Sequence, residues 1–107
     1  MEKWNNSKTE DLLKVILALK TTQEAKYFFR DLLTEKELIE LGNRFLAARM
    51  LYDKVSYVRI EKKTNLSSRT VARISKWLNS GKGGYKLVLD RMANHHLDSS
   101  LAKKGLS

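Results

Sequence analysis

The chain reads as an all-α protein. Three observations carry that reading. Helix-start signals recur along it: Ser7-Lys8-Thr9-Glu10, Thr21-Thr22-Gln23-Glu24 and Thr34-Glu35-Lys36-Glu37 each pair a hydroxyl with a carboxylate three residues on. Apolar residues follow each signal at spacings of three and four. There is no proline in 107 residues and no convincing alternating strand pattern, Lys86-Leu87-Val88-Leu89 being the one short apolar run that could be argued. A chain of this length is expected to form a single domain over 1–107.

The elements follow in order. After Ser7, the residues Leu12, Leu13, Ile16 and Leu19 form one stripe. After Thr21, Ala25, Phe28, Phe29, Leu32 and Leu33 form the next. Thr34 opens the longest helix, to about Tyr52, with Leu38, Leu41, Phe45 and Ala48 on one face. Ile39, Leu46 and Met50 widen that face beyond what one neighbour needs, so a second subunit is an expected partner. Ser56 caps a short helix over Tyr57–Lys63, and Asn65 suits a tight turn because asparagine tolerates a left-handed backbone. Ser67 or Ser68 caps a helix to about Leu78. Asn79-Ser80-Gly81-Lys82-Gly83-Gly84 is the clearest break, holding three of the five glycines. A last helix runs from Tyr85 to about Asn94, and a frayed polar tail is expected over about 95–107.

Charge is concentrated. Residues 1–53 carry nine basic and nine acidic side chains, residues 54–91 ten basic and two acidic, and residues 92–107 two and one. Nearly all of the net +9 therefore lies in one stretch, which points to a polyanionic partner. The absence of cysteine excludes a disulfide scaffold, a thiolate zinc site and a cysteine nucleophile. No apolar run approaches the ~18–20 residues of a membrane span and no secretory signal opens the sequence. The expectation is a cytoplasmic protein with no membrane partner and no metal. Neither a nucleophile–base set nor a strand-borne phosphate loop is evident, so an enzyme is not expected.

Residues 57–76, within a unit of about 56–78, fit a helix-turn-helix frame. Ile60, Leu66, Val71 and Ile74 occupy its buried positions and Asn65 its turn, while Glu61 departs from the small residue often found where the helices cross. The outward face of the second helix then carries Ser68, Arg69, Ala72, Arg73 and Lys76, with Ser67 and Thr70 at its start and Ser56 opening the first helix. Arginine can pair bidentately with guanine, hydroxyls reach base edges or phosphates, and lysine neutralises backbone charge. Double-stranded DNA is the expected partner. A non-specific or RNA-binding helical module and a protein-docking module are the rival readings, separable by sequence dependence at fixed salt and by Arg69→Ala with Lys76→Ala.

Thr34-Glu35-Lys36-Glu37, Leu41-Gly42-Asn43-Arg44, the helix-turn-helix and Ser80-Gly81-Lys82-Gly83-Gly84-Tyr85-Lys86-Leu87-Val88-Leu89-Asp90-Arg91 together resemble the Trp repressor family, most of all its YerC/YecD-type branch. The resemblance spans roughly residues 8–92. It implies six helices, an intertwined homodimer and a transcriptional regulator, usually a repressor, on a roughly palindromic operator. It also implies an effector site. Thr34, Arg44 and Arg73 match the family's tryptophan-contacting threonine and arginines, but Ile74 replaces a glycine that makes room for the ligand and Trp77 replaces a serine that helps hold it. A branched side chain then lies where the ring should sit, and Trp77 is placed to fill the slot from within. No cofactor is required on this reading, and L-tryptophan or another small effector is the group to test.

Overall fold

A computed structural model describes residues 2–94. Those residues form six helices and no strand: α1 (Ser7–Ala18), α2 (Thr22–Leu32), α3 (Glu35–Tyr52), α4 (Tyr57–Thr64), α5 (Ser68–Ser80) and α6 (84–94). The tail expected over 95–107, with His95 and His96, lies outside the described residues. The chain falls into two compact units, with the boundary inside α3 between Ile39 and Glu40.

The first unit holds α1, α2 and the first turn of α3. Its helix starts differ in part from the sequence pattern. Asn6, not Ser7, caps α1: its side-chain oxygen accepts from the Lys8 and Thr9 amides at 3.0 and 3.1 Å, and the Thr9 hydroxyl accepts from the Asn6 amide at 3.0 Å. A side-chain amide oxygen one residue earlier closes the turn as well as a serine does, and threonine stands in for the carboxylate. At α2 the Thr21 hydroxyl accepts from the Glu24 amide at 3.1 Å, but the Glu24 carboxylate reaches back to Lys20 rather than to Thr21. At α3 both bonds of the box form, Thr34 N–H to the Glu37 carboxylate at 2.9 Å and Glu37 N–H to the Thr34 hydroxyl at 3.1 Å. The Thr34 amide, and then its hydroxyl, hold the Glu37 carboxyl below the usual carboxylate range. Neither α1 nor α2 buries a residue. Leu12, Ile16, Ala25, Phe28 and Phe29 are half-buried, the two phenylalanine rings meeting edge to face at 5.5 Å, whereas Leu13, Leu17 and Leu32 are exposed.

The second unit has a closed core. Ala47 and Ala48 of α3, Ile60 of α4, Val71 and Ile74 of α5 and Leu89 of α6 are buried together. The two alanines let neighbouring helices approach α3 closely, and each large aliphatic side chain that leaves water contributes about 1.5–3 kcal/mol. In the second unit's part of α3, Phe45, Leu46 and Met50 are half-buried and Leu41 is exposed; in the first unit's part, Leu38 is half-buried and Ile39 exposed. The end of α3 is turned by Lys54 in a left-handed conformation (φ 65°), with the Lys54 amide on the Leu51 carbonyl and the Val55 amide on the Met50 carbonyl. That is a Schellman closure with lysine where glycine is usual. The Tyr52 hydroxyl donates to the Asp90 carboxylate at 2.6 Å and ties the end of α3 to α6. This bond, with burial and the acid's charge behind it, pushes the Tyr52 phenol above its ordinary value.

Candidate nucleic-acid interface

The α4–turn–α5 segment is built from short-range bonds. Ser56 caps α4, its hydroxyl accepting from the Arg59 amide at 3.4 Å. Thr64 ends the helix fully buried. Its hydroxyl donates to the Ile60 carbonyl at 2.7 Å and accepts from the Leu66 amide at 3.3 Å, so one side chain ties the helix to the chain beyond the turn. Asn65 takes φ 59°, ψ 16° and closes α4 through its amide on the Glu61 carbonyl at 2.8 Å. Ser67, not Ser68, caps α5: its oxygen accepts from the Thr70 amide at 3.2 Å, and its hydroxyl donates to Thr70 Oγ1 at 3.0 Å. Glu61 is accommodated half-buried.

Burial then divides α5 into faces. Val71 and Ile74 have no exposed surface and Leu78 is half-buried, so one side of the helix is fixed in the core. Arg69, Ala72, Arg73 and Lys76 are exposed, and at 100° per residue they share the opposite side. Ser56, Ser67 and Ser68 are exposed and Thr70 is half-buried. None of Arg69, Arg73 and Lys76 forms an ion pair with a described residue. The arrangement presents two guanidinium groups and an ammonium on a rigid rod, with the hydroxyls near its N-terminal end. Such a face can contact phosphates and base edges. Helix α5 runs to Ser80, two residues beyond the expected end, and its amide-bonded cap at Gly81 sits so close that an added Cβ would lie 2.5 Å from the Trp77 carbonyl oxygen. That clash accounts for the glycine at the break.

The residues that the resemblance assigns to an effector are Thr34, Arg44 and Arg73, with Ile74 and Trp77 at two further positions on α5. Thr34 belongs to the first unit and uses both its amide and its hydroxyl in capping α3. Arg44 lies on α3 with its side chain 35% exposed and 3.5 Å from the Glu40 carboxylate; its Nε is buried without a hydrogen-bond partner. Arg73 is exposed. Ile74 points into the core and leaves no surface for a ligand. Trp77 is 42% exposed among the described residues. On α5 it stands at the border between the core side and the cationic side, about 60° from Ile74 and about 40° from Arg73 at 100° per residue. Three structural residues had no signal in the sequence: Thr64, whose back-bond to Ile60 depends on where α4 stops, and the Tyr52–Asp90 pair, 38 residues apart.

Comparison with known proteins gives a consistent result. The family model for the Trp repressor protein matches residues 7–93. The uncharacterised protein YerC of Bacillus subtilis (strain 168) is 35% identical over 100 residues, covering 94% of this chain and 96% of that protein. Among solved structures, a TrpR-like protein from Eubacterium eligens ATCC 27750 is similar with a TM-score of 0.81 and 37% identity, over 85% of this chain and 94% of that one. A candidate Trp repressor from Staphylococcus aureus is similar with a TM-score of 0.79 and 32% identity, over 85% and 91% respectively. The chain belongs to the Trp repressor protein family.

Proposed function

We propose that the protein is a sequence-specific transcriptional regulator, a repressor, that binds a roughly palindromic operator as a homodimer in the cytoplasm. Its family is one of DNA-binding regulators and not of enzymes. The observation that carries the finer reading is the division of α5, with Val71 and Ile74 locked in the core and Arg69, Arg73 and Lys76 turned outward. A recognition helix needs that combination, because base contacts discriminate only when the rod presenting them is held in register. The DNA-contacting set on this reading is Ser56, Ser67, Ser68, Arg69, Thr70, Ala72, Arg73 and Lys76. Ser56 and Ser67 contribute through the helix starts they cap, where free backbone N–H groups meet phosphate.

A homodimer is supported by the first unit. Two helices of 12 and 11 residues that bury nothing are too short to hold themselves in water, and their exposed leucines need cover. Among the described residues no helix is long and apolar enough to cross a membrane, so a bilayer spanned by one of them does not supply that cover. Tryptophan is not required on this reading. The space that glycine leaves in tryptophan-binding relatives is taken by Ile74, and Thr34 and Arg44 have structural duties of their own.

The test is selection of bound sequences from a random double-stranded DNA pool at about physiological salt, with and without L-tryptophan. One palindrome, recovered equally in both, is expected. Arg69→Ala should cost about 1–3 kcal/mol on that palindrome and relax one position, while Lys76→Ala should weaken all sequences alike and reduce the salt slope by about one. No preferred sequence under either condition would overturn the reading. A palindrome recovered only with tryptophan would overturn the effector part of it.

A further inference from the structure

On one flank of α5, away from the cationic face, the second unit has an open cleft of about 530 Å³. Its size falls within the ~300–1,000 Å³ typical of small-molecule sites. The floor is apolar, made by Leu51, Val55 and Leu78. Two tyrosines, Tyr52 and Tyr57, add aromatic surface. Ser75 and Asn79 supply hydrogen-bonding groups from α5. Lys54, from the α3–α4 turn, and Lys86, from α6, bring two positive charges, and no Asp or Glu lines the cleft. Neither lysine forms an ion pair with a described residue.

We propose that this cleft is a binding site for a small organic anion, with a ring-sized apolar body over Leu51, Val55 and Leu78 and a carboxylate met by Lys54 and Lys86. Two lining lysines favour an anion over a cation, although the Asp90 carboxylate adjoins the cleft through Tyr52, and the apolar floor disfavours a bare inorganic ion. The site is separate from the one that Arg44 and Arg73 mark in tryptophan-binding relatives. Ser75 and Trp77 are two residues apart on α5 and therefore about 160° apart around the helix, so the cleft and the Trp77 side lie on opposite flanks. A ligand here touches the end of α3, the first residue of α4, the C-terminal half of α5 and α6 at once. It would brace the C-terminal half of α5 against its neighbours on a flank that the core leaves uncovered. A consequence of that for DNA affinity rests on the proposed function; the binding itself does not.

The experiment titrates the full-length ¹⁵N-labelled protein with 1-naphthaleneacetate and with its neutral analogue 1-naphthaleneacetamide, following backbone amide shifts without DNA. Saturable shifts at residues 51–57 and 75–79 are expected, with the acid bound at least five-fold more tightly than the amide. Lys54→Gly suits the left-handed backbone at that position, and Lys86→Gln lies on an exposed helix surface. Each should weaken the acid at least five-fold and leave the amide unchanged. Equal binding of acid and amide, or shifts centred on Arg44, Arg73 and Trp77, would overturn the proposal. So would cleft amides that move on dilution of the free protein, which would place a second copy in the cleft. Absence of acid binding combined with weaker DNA binding in both lysine variants would reassign the lysines to the DNA backbone and also overturn it. Because the titration contains no DNA, failure to find an operator leaves its result readable.

Discussion

Ile74 is where the family's effector site and the core of this chain compete for one position, and Ile74→Ala decides between them. The side chain is fully buried with Ile60, Val71 and the two α3 alanines. Truncation to alanine removes three carbons, worth about 0.8 kcal/mol each in transfer, or about 2.4 kcal/mol. The cavity left among helices that cannot fully collapse raises the cost, and the range for such changes is about 2–5 kcal/mol. Against a total stability on the order of 5–15 kcal/mol, that is a large fraction. Urea unfolding followed by far-ultraviolet circular dichroism, at one fixed protein concentration, measures it. Val58→Ala, at a position 61% exposed, serves as the reference and should stay within about 0.5 kcal/mol. A loss below about 1 kcal/mol for Ile74→Ala would refute the packing argument. If that small loss came with saturable tryptophan binding, Ile74 would be a plug in a ligand pocket rather than a member of the core.

Three further outcomes are expected. Asn65 has φ 59°, so Asn65→Ala should lower stability by about 1 kcal/mol while Asn65→Gly stays near the parent, as thermal unfolding would show; equal effects of the two would remove the left-handed turn from the account. Tyr52 has its phenol raised chiefly by the hydrogen bond to Asp90, so its contribution is complete below the ordinary tyrosine value of 10.0 and is lost as pH rises through the higher folded value. A pH series of denaturation midpoints should therefore fall more steeply above pH 10 in the parent than in Tyr52→Phe, and parallel curves would count against the bond. Leu17 is 85% exposed, so within one chain Leu17→Ala should cost no more than about 0.5 kcal/mol; under the proposed homodimer the loss should exceed this and grow on dilution, and a small, concentration-independent loss would argue against α1 being covered.

What the sequence disclosed and what it hid divide along physical lines. The helix-turn-helix was legible because its determinants are local: Ile60, Val71 and Ile74 follow helical spacing, Asn65 announces the left-handed turn, and Ser56 and Ser67 announce the starts. The charge block was legible because it needs only counting. Cap choice was less so. Asn6, Ser7 and Thr9 can all close a first turn, and which does so depends on the path of the preceding residues. Lys54 taking a left-handed backbone was hidden because the penalty is small enough for the Schellman bonds to offset, so no glycine was needed to mark it. The Tyr52–Asp90 bond and the cleft beside α5 were hidden because both depend on how α3 and α6 meet. The exposed side chains of Leu13 and Leu32 show the remaining limit: a stripe at helical spacing says that a face is apolar, not what covers it.

On the proposed reading, in which tryptophan is not required, Ile74 does the work of the family's ligand. Residue 74 follows Val71 by three on α5, so the two share the face that meets Ala47, Ala48 and Ile60. A glycine at 74 would leave that contact empty, and something else would have to hold α5 against α3. A ligand between them is one solution, and it makes the angle of the recognition helix conditional. An isoleucine is another, since it fills the space permanently and makes the angle a property of the core. The half-exposed Trp77 fits the second solution, because nothing in the second unit depends on burying it. Control, where it exists, must then act on what the core leaves adjustable. The flank of α5 beside Lys54 and Lys86 is such a place, since a ligand there would touch four helices without displacing any core side chain.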